Sequence, residues 1–173
     1  MKIQLIVAKM QLFFSLFIIT LFAAFLISPI SLADELSAQC PLPESIAVTF
    51  LNSQCTEFTL TQDTKFYRYY DSNSKYQKGR YLTIDNYDSS EEVITKLALN
   101  QAWGNDAKYE ETVSVPAGTN VYIGIAAPQE PSTCYPGGGH QVFIQDSKDT
   151  RIIWSNVSNE EEPYTYTKFN CNL

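Results

Sequence analysis

The sequence predicts an α+β domain that is built mainly from antiparallel β-sheet, contains one main helix and is stapled by disulfide bonds. Short β-prone segments separated by turn residues outnumber the helical ones, because only one stretch spaces its apolar residues like a helix. The chain of 173 residues also carries four cysteines behind a leader-like start. Many strands with few helices are typical of an α+β architecture.

The first 33 residues have the composition of a secretory signal peptide. They contain two lysines, no acidic residue and a largely apolar run over residues 12–30, and the small residues of Ser31-Leu32-Ala33 then resemble a cleavage site. A membrane anchor is the alternative, because about 20 apolar residues can span a bilayer, but Pro29 near the end of the run favours cleavage. We interpret residues 1–33 as a signal peptide and residues 34–173 as a single secreted domain.

The predicted mature chain is acidic. Its 140 residues carry 19 acidic and ten basic side chains, which gives a net charge of −9. Nucleic acids are bound by basic residues that neutralise phosphates, so this balance argues against a nucleic-acid partner. It also argues against an anionic membrane surface, and no further apolar run is long enough to span a bilayer after cleavage.

The four cysteines predict two disulfide bonds, because an even number in a secreted chain usually forms bridges. They are Cys40, Cys55, Cys134 and Cys171. Three pairings are possible, and one of them closes a local loop between the first two and ties the C-terminal tail through the last two. Zinc sites use closely spaced ligands, whereas the nearest cysteines here are 15 apart and His140 is the only histidine. We therefore expect no metal.

The N-terminal half of the domain predicts three short strands. Residues 34–45 are a polar lead-in, and the apolar residues 46–51 form the first strand. The aromatic, β-prone residues 65–70 form the second, which the turn residues 71–74 end. Residues 79–84 form the third.

One segment has the signals of a helix. Ser89 is placed to cap it and Glu92 follows three residues later, as in a capping box. Apolar residues then recur on one face until Gly104 ends the helix. Trp103 is expected to pack at the end of this face, in the core.

The rest of the chain predicts further strands. Residues 112–115 and 121–126 should form a hairpin across the turn residues 116–119. A loop rich in proline covers residues 127–138. Three more strands are expected, at residues 141–144, 151–154 and 164–169.

Asn156-Val157-Ser158 is a glycosylation sequon. Its acceptor, Asn156, is expected in a surface loop.

Several common catalytic motifs are absent from the sequence. There is no Gly-x-Ser-x-Gly elbow, no phosphate-binding loop and no dinucleotide fingerprint. One histidine and four bridged cysteines leave little for nucleophilic catalysis.

What remains is an ordered set of motifs that resembles a known group of proteins. Tyr67-Arg68 precedes Gly79-Arg80-Tyr81-Leu82-Thr83, and Pro136-Gly137-Gly138-Gly139-His140-Gln141 follows after the helix and hairpin. This order resembles the ADP-ribosyltransferase-like fold of NAD-consuming toxins. Within that group, the two longer motifs look like the tuberculosis necrotizing toxin family and its secreted fungal relatives, which are NAD glycohydrolases. The resemblance covers about residues 65–145.

The resemblance implies NAD or NADP as the substrate, with no separate cofactor. It implies Gln141 and Arg80 as catalytic residues. The substrate-binding residues that it implies are Arg68, Tyr81, Thr83, Gly138 and Gly139. Either Arg68 or Arg80 would be the main ligand of the pyrophosphate, and an immunity protein is a candidate partner.

The chemistry of these residue types fits that activity. Arginine is a permanently charged, bidentate partner for phosphate. Cleavage of the nicotinamide–ribose bond passes through an oxocarbenium-like state, which needs an oriented ribose, excluded water and electrostatic support. A glutamine can orient hydroxyls and water without titrating, so it favours hydrolysis over ADP-ribosyl transfer to proteins. That transfer, and a secreted binding protein without activity that presents its tyrosines, are the two alternatives.

Strand alternation separates the last two residues of the glycine motif. His140 and Gln141 should lie on opposite faces of the sheet. The resemblance places Gln141 in the cleft, so His140 should tolerate substitution. The preceding glycines should let the backbone approach a ligand closely.

Overall fold

The structure is a computed structural model that describes residues 39–71, 77–156 and 164–171, all within one compact unit. The predicted signal peptide, most of the turn at residues 71–74 and the end of the glycosylation sequon lie outside the described residues. In the described ranges, no helix has the length and apolar character to cross a bilayer. The elements, in chain order, are α1 (Glu44–Ala47), β1 (Phe50–Thr59), β2 (Thr64–Tyr70), β3 (Tyr81–Leu82), α2 (Ser90–Lys96), a 3-10 helix (Gln101–Trp103), β4 (Tyr109–Val115), β5 (Asn120–Ala126), β6 (His140–Ile144) and β7 (Ile153–Asn156).

The strands form two antiparallel sheets. One has the order β1-β5-β6-β3 and the other the order β2-β4-β7. A backbone bridge between Tyr67 and Thr83 joins the second sheet to the end of β3 in the first. The predicted α+β class, mainly antiparallel with few helices, is confirmed.

Apolar residues from both sheets meet in a shared core. Phe66 and Val113 come from the three-stranded sheet, and Val121, Val142 and Ile144 from the four-stranded one, each fully buried. A second cluster packs Val93 and Ile94 of α2 against Tyr69 of β2. Burial of these apolar faces fixes the relative positions of β2, β6 and α2. The candidate site lies between β2, β6 and the turn that follows α2.

The predicted hairpin between β4 and β5 is wrong, because the two strands belong to different sheets. β4 pairs with β2 and β7, whereas β5 pairs with β1 and β6. Val115 and Val121 both face the shared core. The turn between them is held by Leu60, which donates to Thr119 O and accepts from Gly118 N. The Pro-Ala-Gly-Thr turn therefore carries the chain from one layer to the other.

The first predicted strand is also wrong over its N-terminal half. Glu44–Ala47 form a short helix that begins after Pro43, whose carbonyl accepts from the N–H groups of Ile46 and Ala47. The strand begins at Phe50 and continues to Thr59 through mostly polar, exposed residues. A polar edge strand shows no alternation of apolar residues, which explains why the predicted strand ended at residue 51 although β1 continues to Thr59.

The main helix is shorter than predicted. Ser89 caps it as expected, since its Oγ accepts from Glu92 N at 3.3 Å. The helix ends at Lys96, because Ala98 adopts a left-handed conformation with φ of 50°, and a 3-10 turn follows. Trp103 lies on that turn with 61% of its side chain exposed, so its predicted place in the core is wrong.

The C-terminal segments depart from the prediction in three ways. The strand expected at residues 151–154 is β7, shifted to Ile153–Asn156, so Asn156 ends a strand rather than lying in a loop. No strand forms in the described tail from Tyr164, where Thr165 makes a single bridge to Ser89. The strand expected at residues 79–84 is reduced to Tyr81–Leu82.

Both disulfide bonds are present. Cys40 is bonded to Cys55, and Cys134 to Cys171. The first attaches Cys40 to Cys55 within β1, and the second ties the loop before β6 to the C-terminal tail. The prediction of two disulfide bonds is confirmed. Of the three possible pairings, the structure has the one in which Cys40 and Cys55 close a local loop.

Candidate active site

A cavity of about 310 Å³ opens where β2, β3, the start of β6 and the turn after α2 come together. This size is at the lower end of ligand pockets, about 300–1,000 Å³. Its wall is mainly apolar and aromatic, with few polar groups. The lining residues that carry the argument below are Thr49, Tyr67, Arg68, Tyr81, Trp103 and Gln141.

Gln141 is the second residue of β6 and lies in the cavity wall with only 8% of its surface exposed. Its side-chain Nε2 donates to Thr49 Oγ1 at 2.9 Å and to Thr49 O at 3.3 Å. Within the described residues, no group donates a hydrogen bond to its Oε1. The side chain therefore offers a held, nearly buried carbonyl acceptor at the cavity wall.

His140 lies on the other face of β6, as strand alternation requires. Its backbone N–H donates to Asp85 Oδ2 at 2.8 Å, and its ring Nδ1 lies 2.9 Å from Asp85 Oδ1. Tyr87 Oη donates to the same carboxylate at 2.9 Å. Partial burial alone would raise the pKa of Asp85, but these hydrogen bonds outweigh it and lower the pKa below its usual value of 3.8.

The three glycines before β6 make backbone hydrogen bonds to neighbouring segments and are not among the residues that line the cavity. Gly137 and Gly138 have φ of 71° and 95°, which favour glycine, and their N–H groups donate to Thr95 O and Ala126 O. Gly139 donates to Lys96 O, and a Cβ there would lie 2.2 Å from Tyr87 Oη. Gly138 and Gly139 thus join the start of β6 to the end of β5 and the end of α2, and their expected contact with substrate stays a prediction.

Arg68 is the predicted arginine that lines the cavity. Its Nε donates to Gln77 O at 3.3 Å and its Nη1 to Tyr81 O at 3.1 Å. Burial lowers the pKa of Arg68 to about 10, although Glu111, its cross-strand neighbour, and Asp71 act in the opposite direction. The guanidinium thus remains charged at neutral pH and places a positive charge in a mainly apolar wall.

Arg80 lies elsewhere. It is exposed, and its guanidinium carbon lies 5.0 Å from the centre of the Phe143 ring. It is not among the residues that line the cavity. The two arginines that the sequence left as alternatives are therefore separated by the structure, with Arg68 at the cavity and Arg80 outside it.

Tyr81 and Thr83, which follow Arg80, also have different positions. Tyr81 lines the cavity, and its ring packs edge-on against Phe143 with the ring centres 5.1 Å apart. Thr83 is fully buried, and its Oγ1 accepts from Asp85 N at 3.0 Å. Thr83 therefore shapes the turn that positions Asp85 and does not line the cavity.

Of the six lining residues named above, three were not selected from the sequence as site residues. Thr49 precedes β1 in what looked like a strand, and Tyr67 lies in the aromatic segment that predicted the second strand. Trp103 was assigned to the core. For Trp103 a signal was available, because Asn100, Gly104 and Asn105 beside it are turn-forming residues that favour a surface position. Thr49 gave none.

The fold resembles a solved structure. The structure of Tne2 in complex with Tni2 matches this chain with a TM-score of 0.51 and 17% sequence identity, over 62% of this chain and 92% of the matched chain. At this identity the likeness concerns the fold alone. No family model and no curated protein matches the sequence.

Proposed function

We propose that this protein is a secreted NAD glycohydrolase, which cleaves the nicotinamide–ribose bond and acts as a toxin or an NAD-depleting effector. The observation that carries the proposal is the placement of Gln141. The residue singled out by its motif lies in the wall of the described cavity, and its amide nitrogen is already engaged by Thr49. Its carbonyl oxygen is thereby kept for a hydrogen-bond donor.

The cavity supplies the other requirements of this chemistry. In the reaction, nicotinamide leaves with the C–N bonding electron pair and becomes neutral, while water adds to the ribose carbon and releases a proton. The Gln141 carbonyl would accept a hydrogen bond from a ribose hydroxyl or from the water. Largely apolar walls limit the access of other water molecules, which strengthens each polar contact with the developing oxocarbenium charge.

Aromatic and charged side chains provide binding groups of the right kind. Tyr67, Tyr81 and Trp103 line the cavity and offer ring surfaces for a planar pyridinium or adenine. Arg68 adds the positive charge that attracts a pyrophosphate dianion. Arg80, outside the lining, would act on the phosphates only at a distance.

The disulfide bonds support the secreted part of the proposal, because such bonds persist in oxidising compartments. Tne2 was solved in complex with Tni2. By analogy, a dedicated protein partner of the immunity kind is also part of the proposal.

Incubation of the purified secreted protein with NAD tests the function, with nicotinamide and ADP-ribose separated by chromatography. We expect both products in equal amounts. The same assay on Gln141→Ala should show greatly reduced turnover. Gln145→Ala is its matched control, because this exposed glutamine donates to Tyr122 Oη and lines no part of the described cavity. ADP-ribose attached to a protein would contradict hydrolysis and favour ADP-ribosyl transfer. The absence of any turnover would also contradict the proposal and favour a binding protein without activity.

A further inference from the structure

We propose that Thr49 is a positioning residue that fixes the orientation of the Gln141 amide, so that its carbonyl oxygen and not its NH₂ group is presented to the substrate. This inference rests on the proposed function for its kinetic part. Its structural part concerns only the hydrogen bonds between the two residues.

Two oxygen atoms of Thr49 set the orientation together, and the first is its backbone carbonyl. A carbonyl oxygen can only accept a hydrogen bond. It lies 3.3 Å from the amide nitrogen of Gln141, so a flipped amide would bring two oxygen atoms together. The same carbonyl accepts from Ala127 N at 2.9 Å, which holds it in place. The hydrogen-bonding capacity of Thr49 therefore determines which end of the Gln141 amide faces it.

The hydroxyl of Thr49 reinforces the choice. Thr49 Oγ1 lies 2.7 Å from Ile46 O and donates its proton to that carbonyl. With its proton committed, the hydroxyl oxygen faces Gln141 as an acceptor, 2.9 Å from Nε2. The short helix α1 thus ends in a relay from Ile46 through Thr49 to Gln141.

These hydrogen bonds determine which substrate group can bind next to residue 141. Because Gln141 presents a hydrogen-bond acceptor to the cavity, the group that contacts it must be a donor, such as a ribose hydroxyl or water. A glutamate at the same position would set a carboxylate oxygen against the Thr49 carbonyl, with nearly complete burial of the side chain. The surroundings of this residue therefore select glutamine over glutamate.

Kinetics on the full secreted protein test the positioning role. Thr49→Val keeps the shape and removes the hydroxyl, and Thr49→Ser retains it. We expect Thr49→Val to lower kcat by about tenfold with KM within about twofold, as for the loss of one hydrogen bond that acts through another group. Thr49→Ser should recover most of kcat. Thr64→Val is the control, because its hydroxyl also donates to a nearby carbonyl, Gln62 O, away from the lined cavity.

Equal kcat values for Thr49→Val and Thr49→Ser would overturn the inference, as would an effect on KM alone. If the parent protein does not turn NAD over, the proposed function fails, and a second measurement still tests the relay. Gln141→Glu should lose stability relative to the parent as pH rises above about 4, the usual range for a glutamate, because the folded state raises the pKa of the new carboxyl.

Gln62→Glu is the control for this pH dependence, because Gln62 is exposed and a carboxylate there stays in contact with water. We expect its midpoint of denaturation to change little between pH 4 and pH 8, while that of Gln141→Glu falls. Similar pH profiles for the two variants would overturn the assigned orientation of the Gln141 amide.

Discussion

The first residue of β6, His140, is fastened to Asp85 through both its backbone and its ring. The backbone N–H lies 2.8 Å from one carboxylate oxygen, and ring Nδ1 lies 2.9 Å from the other. Because His140 and Gln141 are neighbours on opposite faces of the strand, this contact holds the strand from behind while Gln141 lines the cavity in front. Asp85 is in turn positioned by Thr83, through the bond from Asp85 N to Thr83 Oγ1.

Asp85 should stabilise the fold in a pH-dependent way. Its pKa is lower in the folded state than its usual value of 3.8, so its contribution is present above that value and is lost as pH falls through the folded pKa. Asp85→Asn should therefore lower the free energy of unfolding at pH 7, with a smaller difference at pH 3. Urea denaturation at both pH values measures this. Asp88→Asn is the control, and an equal loss in both variants would contradict the role of Asp85.

The Cys134–Cys171 bond should support activity through the loop that precedes β6. Its removal by serine at both positions releases a loop closure of 37 residues, worth about 4 kcal/mol in the chain-entropy model. The activity of this Cys134→Ser/Cys171→Ser variant should fall well below that of Cys40→Ser/Cys55→Ser, which removes the other disulfide bond. Both activities are measured at a temperature where both variants are folded. Titration of the untreated protein should find no reactive thiol; full activity after complete reduction would argue against this role.

The two arginines should differ in their effect on NAD binding. Arg68→Ala should weaken binding by about 1.5–3 kcal/mol, the range for hydrogen bonds to charged groups, and Arg68→Lys should recover only part of it. Arg80→Ala should bind NAD nearly like the parent, because its side chain is exposed and outside the cavity lining. Calorimetric titration measures both.

Arg68 also bonds to two backbone carbonyls, so thermal denaturation of each arginine variant must accompany the titration. A stably folded Arg68→Ala protein with parental affinity, beside a weakened Arg80→Ala protein, would place the phosphates near Phe143 instead.

Trp103 should report ligand binding directly. It is exposed at the cavity, whereas Trp154, the other tryptophan, is partly buried against the shared core. In a Gln141→Ala background that does not consume NAD, titration with NAD should change tryptophan fluorescence, and Trp103→Phe should abolish the change. Trp154→Phe should preserve it. Trp103→Ala should weaken binding by about 1 kcal/mol, typical of one aromatic contact. A fluorescence change that is lost in Trp154→Phe and kept in Trp103→Phe would contradict the position of Trp103 at the ligand site.

Local sequence signals predicted the strands that are rich in β-branched and aromatic residues, and the helix cap. β2, β5 and β6 follow from their β-prone composition and the Ser89 cap from capping chemistry, and both signals act within a few residues. The partners of β4 and β5 did not follow, because two strands that bury opposite walls of one core look like a hairpin in sequence. The polar edge strand β1 and the left-handed Ala98 also lack a local signature.

The candidate site was predictable only in part, for the same reason. Gln141 was found through its motif, and the structure places it at the cavity. The relative positions of Arg68 and Arg80 depend on how β2 and β3 pack, which their spacing in the chain does not encode. Thr49 contacts Gln141, which lies 92 positions away, so nothing in its own segment indicates its proposed role.

The rate of nicotinamide release by Gln141→Ala, compared with that of His140→Ala, tests the central claim most directly. Removal of a group that contacts the transition state lowers turnover by about 10² or more, and we expect this for Gln141→Ala while fold and NAD affinity stay near those of the parent. His140→Ala should retain turnover within a few-fold, because its backbone bond to Asp85 remains. Retained turnover in Gln141→Ala, with loss in His140→Ala, would contradict the assigned site and place the chemistry on the opposite face of β6.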